Sequence, residues 1–372
     1  MNYPNPILPK CAVLLTAALA AVPVALPAAA APADAAVQTR AAVRAAEDFL
    51  QTLTAAQRAA VQFKWVPQAT ATAAAFKGGM NGRMNFVGEQ YGSAVWSNYP
   101  VSDVPRPGIA IGTMDAAQRA AAMRLLQAVL SRQGYEKILD IMASDQALSE
   151  GGTKYASGAA HYTIGLFGTP DAASPWMVQF GGHNLGLNVA IDGSRGAITP
   201  TLTGAQPAVF QRDGKTVRVL AQENDKAFAL LATLTPDQRR QAVLDYKVGD
   251  LVLGPGHDGE TIVPEGVPGT ALDARQKAML LDLIGEWAGI LHEAYAAARL
   301  EQLKADIDRT WFAWSGPQTR EPGRNGAAYY RIQGPRVIIE FSPQGTGGDA
   351  TMHVHTVYRD PTSAYGQART AP

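Results

Sequence analysis

The 372-residue chain has a single cysteine, Cys11, and it lies at the start of an apolar N-terminal run. Beyond that run, disulfides, thiolate nucleophiles and cysteine-ligated metals are excluded, so stability has to come from a packed core. Charge is also sparse. Charged residues make up 17% of the chain, and 32 basic residues balance 32 acidic ones. Such a neutral chain offers no footprint for nucleic acid or an anionic membrane, which leaves a small molecule as the expected ligand or substrate. Several catalytic signatures are missing too. Gly193-Ser194-Arg195-Gly196 fails the nucleophile-elbow pattern, and there is neither a P-loop nor a Gly-x-Gly-x-x-Gly following a strand. Serine-hydrolase, nucleotide-hydrolase and Rossmann readings lose their support, and no nucleotide cofactor is expected. Histidine is rare, with 6 in all, so its placement carries information.

Lys10 is the only charge before an Ala, Val and Leu run from Cys11 to Leu26. Ala28 and Ala30 then sit where cleavage after Ala30 requires small residues. Residues 1–30 therefore read as a secretory signal peptide, and the mature chain is expected to be periplasmic or secreted. The run is short for a membrane span, and no later stretch is apolar enough to be one, so no membrane contact is expected after cleavage.

One phrase recurs along the mature chain: Thr54-x-x-Gln57, Asp115-x-x-Gln118, Thr235-x-x-Gln238 and Asp273-x-x-Gln276. Thr or Asp followed three residues later by Gln is the spacing of a capping box, so each marks a helix start. Their unequal separations argue for recurring cap chemistry over a solenoid repeat. Residues 36–62 read as a helical entry broken near Thr54. Residues 64–113 are rich in Gly, Pro and aromatics without a helical period, and read as a wrapping or functional loop. Residues 115–149 give two helices separated near Gly134. Strands follow over 155–167 and 176–191, with a short one at 215–221, then helices over 222–245 and 273–309. Helices and strands run in blocks without βαβ alternation. This predicts an α+β fold, an antiparallel sheet with a C-terminal hairpin packed against several helices. The expected organisation is one domain over 31–372, helical to about residue 150 and mixed after it.

The densest chemistry lies near the C-terminus. In the strand pattern Met352-His353-Val354-His355-Thr356-Val357-Tyr358-Arg359, residues His353, His355, Val357 and Arg359 share one face. Pairing with Arg336–Phe341 as a hairpin brings Glu340 toward both histidines. A third histidine stands in Phe180-Gly181-Gly182-His183-Asn184, where the glycines permit a bulge or a close backbone approach. His183, His353 and His355 are thus candidate ligands of a divalent metal (zinc, iron or copper), with Glu340 as further ligand or general base and Arg331 as the clamp for a carboxylate. Trp311, Trp314, Tyr330, Asn184 and Arg359 are the candidate substrate-binding residues. His257 reads as part of an exposed turn and His161 as structural. His292-Glu293 lacks the second histidine of a zincin helix, since Ala296 holds that place.

These blocks, with Phe312-Ala-Trp314-x-Gly316, Tyr330-Arg331-Ile332 and His353-Val-His355-Thr-Val-Tyr358-Arg359-Asp360-Pro361, resemble the secreted bacterial family catalogued as domain of unknown function 3500. The resemblance runs from about Trp96 to Gly366. It implies no activity, because the family carries none in its name. Two departures matter: Asn184 stands where a second histidine commonly follows His183, and Ala364 where an aspartate usually precedes Tyr365-Gly366. The leading functional expectation is a metal-dependent enzyme, hydrolytic ahead of oxidative because no redox-cofactor motif is present. The alternative is a non-catalytic protein whose aromatic and arginine-bearing groove holds a small ligand.

Overall fold

The computed structural model describes residues 34–79, 82–153, 155, 158–345 and 348–368. The expected signal peptide lies outside the described residues. Eight helices are seen among them: α1 (Ala35–Thr52), α2 (Ala55–Val61), α3 (Ala116–Val129), α4 (Arg132–Glu150), α5 (Ala221–Thr233), α6 (Pro236–Ala242), α7 (Ala274–Ala288) and α8 (Glu293–Ala305). All four expected capping boxes form, with the Gln side chain reaching back to the N-cap amide. The break between α3 and α4 falls at Ser131, not near Gly134. The Ser131 hydroxyl accepts from the Gly134 amide and so starts the second helix three residues earlier.

Eight strands carry the main sheet: β1 (Thr163–Phe167), β2 (Trp176–Gly182), β3 (Leu185–Asp192), β4 (Thr201–Ala205), β5 (Trp311–Ser315), β6 (Tyr329–Gly334), β7 (Val337–Pro343) and β8 (Val354–Arg359). Their order is β1-β2-β3-β4-β8-β7-β6-β5, all antiparallel, with short strands added at the edges. The fold is α+β, as the blockwise pattern predicts. One face of the sheet, with Trp176, Phe180, Trp314 and Ile339, packs on the helices as the main core. Each such side chain taken from water contributes about 1.5–3 kcal/mol. The other face, with Met177, Leu202 and Val357, is covered by Trp96, Tyr91 and Tyr365. That cover comes partly from the 64–113 stretch, which folds into a three-stranded sheet over Thr72–Gly78, Met84–Tyr91 and Ala94–Trp96 instead of a loop.

The recurring capping boxes mark more than helix starts: the chain consists of two topologically equivalent halves. Each runs helix, capped short helix, short edge strand, 3-10 turn, two capped helices and four antiparallel strands. In the first half the amides of Gln57 and Gln118 exchange hydrogen bonds, and Gln118 also donates to the carbonyl of Thr52. In the second half Gln238 and Gln276 do the same, and Gln276 donates to the carbonyl of Thr233. The cross-strand pair Gln179 and Asn188 of β2 and β3 takes the place of Arg331 and Glu340 in β6 and β7. The halves meet at the β4–β8 pair and at reciprocal bonds, Ser131 N to Ile290 O and His292 N to Val129 O. Unequal insertions obscure the repeat in sequence. The one after α2 carries the small sheet, whereas 244–266 after α6 contains no helix or strand.

Candidate functional site

The β2–β3 connection is the two-residue turn His183-Asn184, with Gly182 paired to Leu185 and Asn184 at φ +59°. The register is regular, so the glycines before it serve close approach and not a bulge. A Cβ on Gly182 would lie 2.9 Å from the ring of Tyr162, whose hydroxyl donates to the carbonyl of His183. The turn sends its two side chains to different surroundings. His183 Nδ1 meets Asp145 Oδ1 at 2.8 Å, and Asp145 Oδ2 accepts from the Gly158 amide at 2.7 Å. This pair is buried, and its geometry leaves Nε2 as the ring nitrogen available for other chemistry. Tyr155 stands edge-on to the imidazole at 5.3 Å.

Asn184 lies beside Gly204, where a Cβ would be 3.4 Å from its Cγ. Gly204 pairs with His355, and His355 with Ser342, so these residues form one row across β4, β8 and β7. Asn184 is 2% exposed, and among the described residues neither its Oδ1 nor its Nδ2 has a hydrogen-bond partner. An amide buried in that state costs about 1–3 kcal/mol. His355 faces Asp250 through Nδ1 at 3.4 Å, and its ring meets His353 edge-to-face at 4.7 Å. Tyr99 joins the same region: burial, then the charges of Asp250 and Asp103, raise its phenol. Burial, Asp145 and Asp103 push the Tyr155 phenol up to about 12. A cleft of about 100 Å³ opens between Asn98, Tyr99, Asp250 and His257.

Burial pushes the Asp250 carboxyl up, but the hydrogen bond and charge of His355, the Leu251 amide and Gln344 outweigh it. The net position is below the usual carboxylate range. A carboxylate depressed by folding adds stability above its unfolded pKa, about 3.9, and loses it as pH falls through the lower folded value. Asp250→Asn should therefore lower the denaturation midpoint at pH 7. The difference from wild type should shrink as pH falls below about 4 in urea titrations, since the wild-type carboxylate is then neutral too. A pH-independent difference would assign the effect to packing.

The expected metal ligands do not assemble into one centre. Among the described residues no group of three His, Cys, Asp or Glu side chains is arranged to hold a metal ion. His183 is turned to Asp145. Glu340, on the same sheet face as His355, is opposite Val357 and fully buried. Its oxygens accept from the amides of Val252 and Leu253 and from the Tyr329 hydroxyl at 2.5–2.8 Å. These bonds anchor the 250-loop, part of the irregular 244–266 segment. Arg331 Nη2 pairs with Glu265 at 2.6 Å, a salt bridge of its own. Arg359 is buried against Glu89 and donates to the carbonyls of Leu253 and Gly254. Trp314 and Tyr330 lie in the helical core, and Trp311 is half-buried at the start of β5. Of the sequence candidates, the structure places Asn184 beside Gly204, the cross-strand partner of His355, and His353 edge-to-face against His355, while His183 is joined to them only through its neighbour Asn184 in the turn. His257 pairs with Glu260 in an exposed turn, and His161 is exposed.

Asp145, Asp250, Tyr99 and Tyr155 were not singled out in the sequence. Asp145 leaves a signal, since it falls on the buried stripe of α4 with Ile138, Ile141 and Met142. A carboxylate on an apolar stripe needs a partner. Asp250, in an irregular segment, leaves none.

Fold and cleft together define an α+β protein of two equivalent halves, with histidine–carboxylate pairs and an unpartnered amide at one end of a shared sheet. The chain belongs to the family described as Protein of unknown function (DUF3500), whose profile matches residues 69–367. No curated protein and no solved structure matches it.

Proposed function

We propose that this chain is an extracytoplasmic protein, of the secreted bacterial type, that binds a small polar molecule at the His183–His355 end of the sheet and acts on it by proton transfer. The reading is carried by the Asn184 amide, buried beside Gly204 in the row of His355 and with both polar atoms unpartnered among the described residues. Buried amides are nearly always satisfied, so a site that leaves one open is suited to a hydrogen-bonding ligand. Asn184 would hold the ligand's polar group. His183 with Asp145 and His355 with Asp250 are the candidate acid–base pairs, since a carboxylate on Nδ1 fixes the tautomer that leaves Nε2 to exchange a proton. The apolar leader pattern of residues 11–26 supports export.

The metal-dependent version of this function, with zinc, iron or copper on His353 and His355, needs a third donor that the described residues do not bring to them.

The test is a thermal-shift screen with amino acids, sugars, amides and hydroxy acids, run on wild type, Asn184→Ala and His355→Ala, with metal content measured by mass spectrometry. A compound that stabilises wild type and neither variant is the expected result. Stoichiometric metal that His353→Ala/His355→Ala removes would replace this reading with a metal centre. If compounds shift all three proteins equally, the sheet-end cleft is not the binding site.

A further inference from the structure

The internal duplication points to a second site. Where the first half has the turn His183-Asn184, the second has Pro335-Arg336, each joining its second and third sheet strands. Asp145 and Asp306 also correspond, at the same distance past the N-caps of their helices (Ser131 to Asp145, His292 to Asp306). In both halves a side chain of the turn meets that aspartate: His183 meets Asp145 at 2.8 Å, and Arg336 Nη1 meets Asp306 Oδ2 at 3.2 Å. The two turns lie at opposite ends of the sheet, because β4 and β8 run antiparallel. Beside the second turn is a cavity of about 700 Å³, within the range of small-molecule sites.

The charge in this cavity is asymmetric. Of its lining arginines, Arg195 pairs with Asp192 and Arg299 with Asp360. Arg336 has only a share of Asp306, which also pairs with Arg309. Two guanidiniums around one carboxylate leave one positive charge in surplus. Among the described residues the other Arg336 side-chain donors form no hydrogen bond, and the side chain is 39% exposed. Ile198, Leu291, Ala294 and Tyr295 give the cavity apolar lining as well.

We infer that this cavity binds a small organic monoanion, its carboxylate on Arg336 and its apolar body against Ile198, Leu291 and Ala294. The site is independent of the histidine-end cleft. A guanidinium offers a carboxylate two parallel N–H donors, and the apolar wall accounts for the rest of the ligand.

Calorimetric titration with octanoate and with octanol tests it. Wild type should bind octanoate more tightly than octanol. Arg336→Gln should weaken octanoate about tenfold or more, the loss of a charged hydrogen-bonded pair, and leave octanol unchanged. Asp306 keeps Arg309 in that variant, so its charge stays paired. Arg336→Lys should retain a preference for octanoate over octanol, and Ala294→Trp should abolish binding of both. Octanoate binding that Arg336→Gln leaves intact, or that survives Ala294→Trp, would overturn the assignment. So would absence of octanoate binding to the wild-type protein. Loss of the histidine-end ligand with octanoate binding retained would sink the proposed function and leave this site standing.

Discussion

Glu89→Ala should destabilise the protein by about 3–5 kcal/mol, the cost of stripping one partner from a buried ion pair. Glu89 is fully buried in the small sheet and is the hub of the cover on the far sheet face. Its Oε2 accepts from Arg359 at 2.6 Å and from the Gly256 amide at 3.0 Å, while Oε1 accepts from the Tyr365 hydroxyl at 2.6 Å. Tyr365 in turn accepts from the Trp96 indole at 2.8 Å. This one carboxylate ties together the small sheet, the 250-loop, β8 and the C-terminal segment. Without it, Arg359 keeps the Leu253 and Gly254 carbonyls and a more distant Asp258 at 3.7 Å. Glu89→Gln keeps the shape and one acceptor and should fall between wild type and alanine. Chemical denaturation monitored by tryptophan fluorescence reads the difference. A loss below about 1 kcal/mol, the scale of an exposed pair, would mean that the network does not anchor the cover.

Gly108→Ala and Gly266→Ala should each cost about 2–5 kcal/mol, combining backbone strain with overpacking. The two glycines occupy equivalent places, just before the short edge strands Ile109–Ala110 and Val267–Pro268. Both are left-handed, at φ +100° and +98°. A Cβ would sit 2.0 Å from the carbonyl oxygen of Ile164 in one half and 2.2 Å from that of Phe312 in the other. Those oxygens belong to β1 and β5, so neither can move without disturbing the sheet. Similar losses from the two variants are expected if the halves are built alike. One variant of near wild-type stability would show that its half relaxes where the other does not.

The histidine strand shows what period-2 reasoning delivers. The shared face of His353, His355, Val357 and Arg359 follows from alternation, and the pairings of His355 with Ser342 and Val357 with Glu340 put Glu340 on that same face. Its partners did not follow, because Val252 and Leu253 come from a segment of no period. Arg359 was equally visible as a charge on a strand, yet its partner Glu89 lies 270 positions away in sequence.

The sequence by itself determined the local structure: the capped helix starts, the blockwise α+β order, and the faces of the strands. These depend on residues a few positions apart, where cap chemistry and side-chain periodicity act. Only the tertiary structure decided that the four capping boxes belong to two equivalent halves, because unequal insertions break their spacing. It alone gave His183 a carboxylate partner, Asp145, on a distant helix. It also decided that Glu340 and Arg359 hold loops in place. A buried charge takes whichever partner the fold brings within reach, and strand patterning carries no information about that partner.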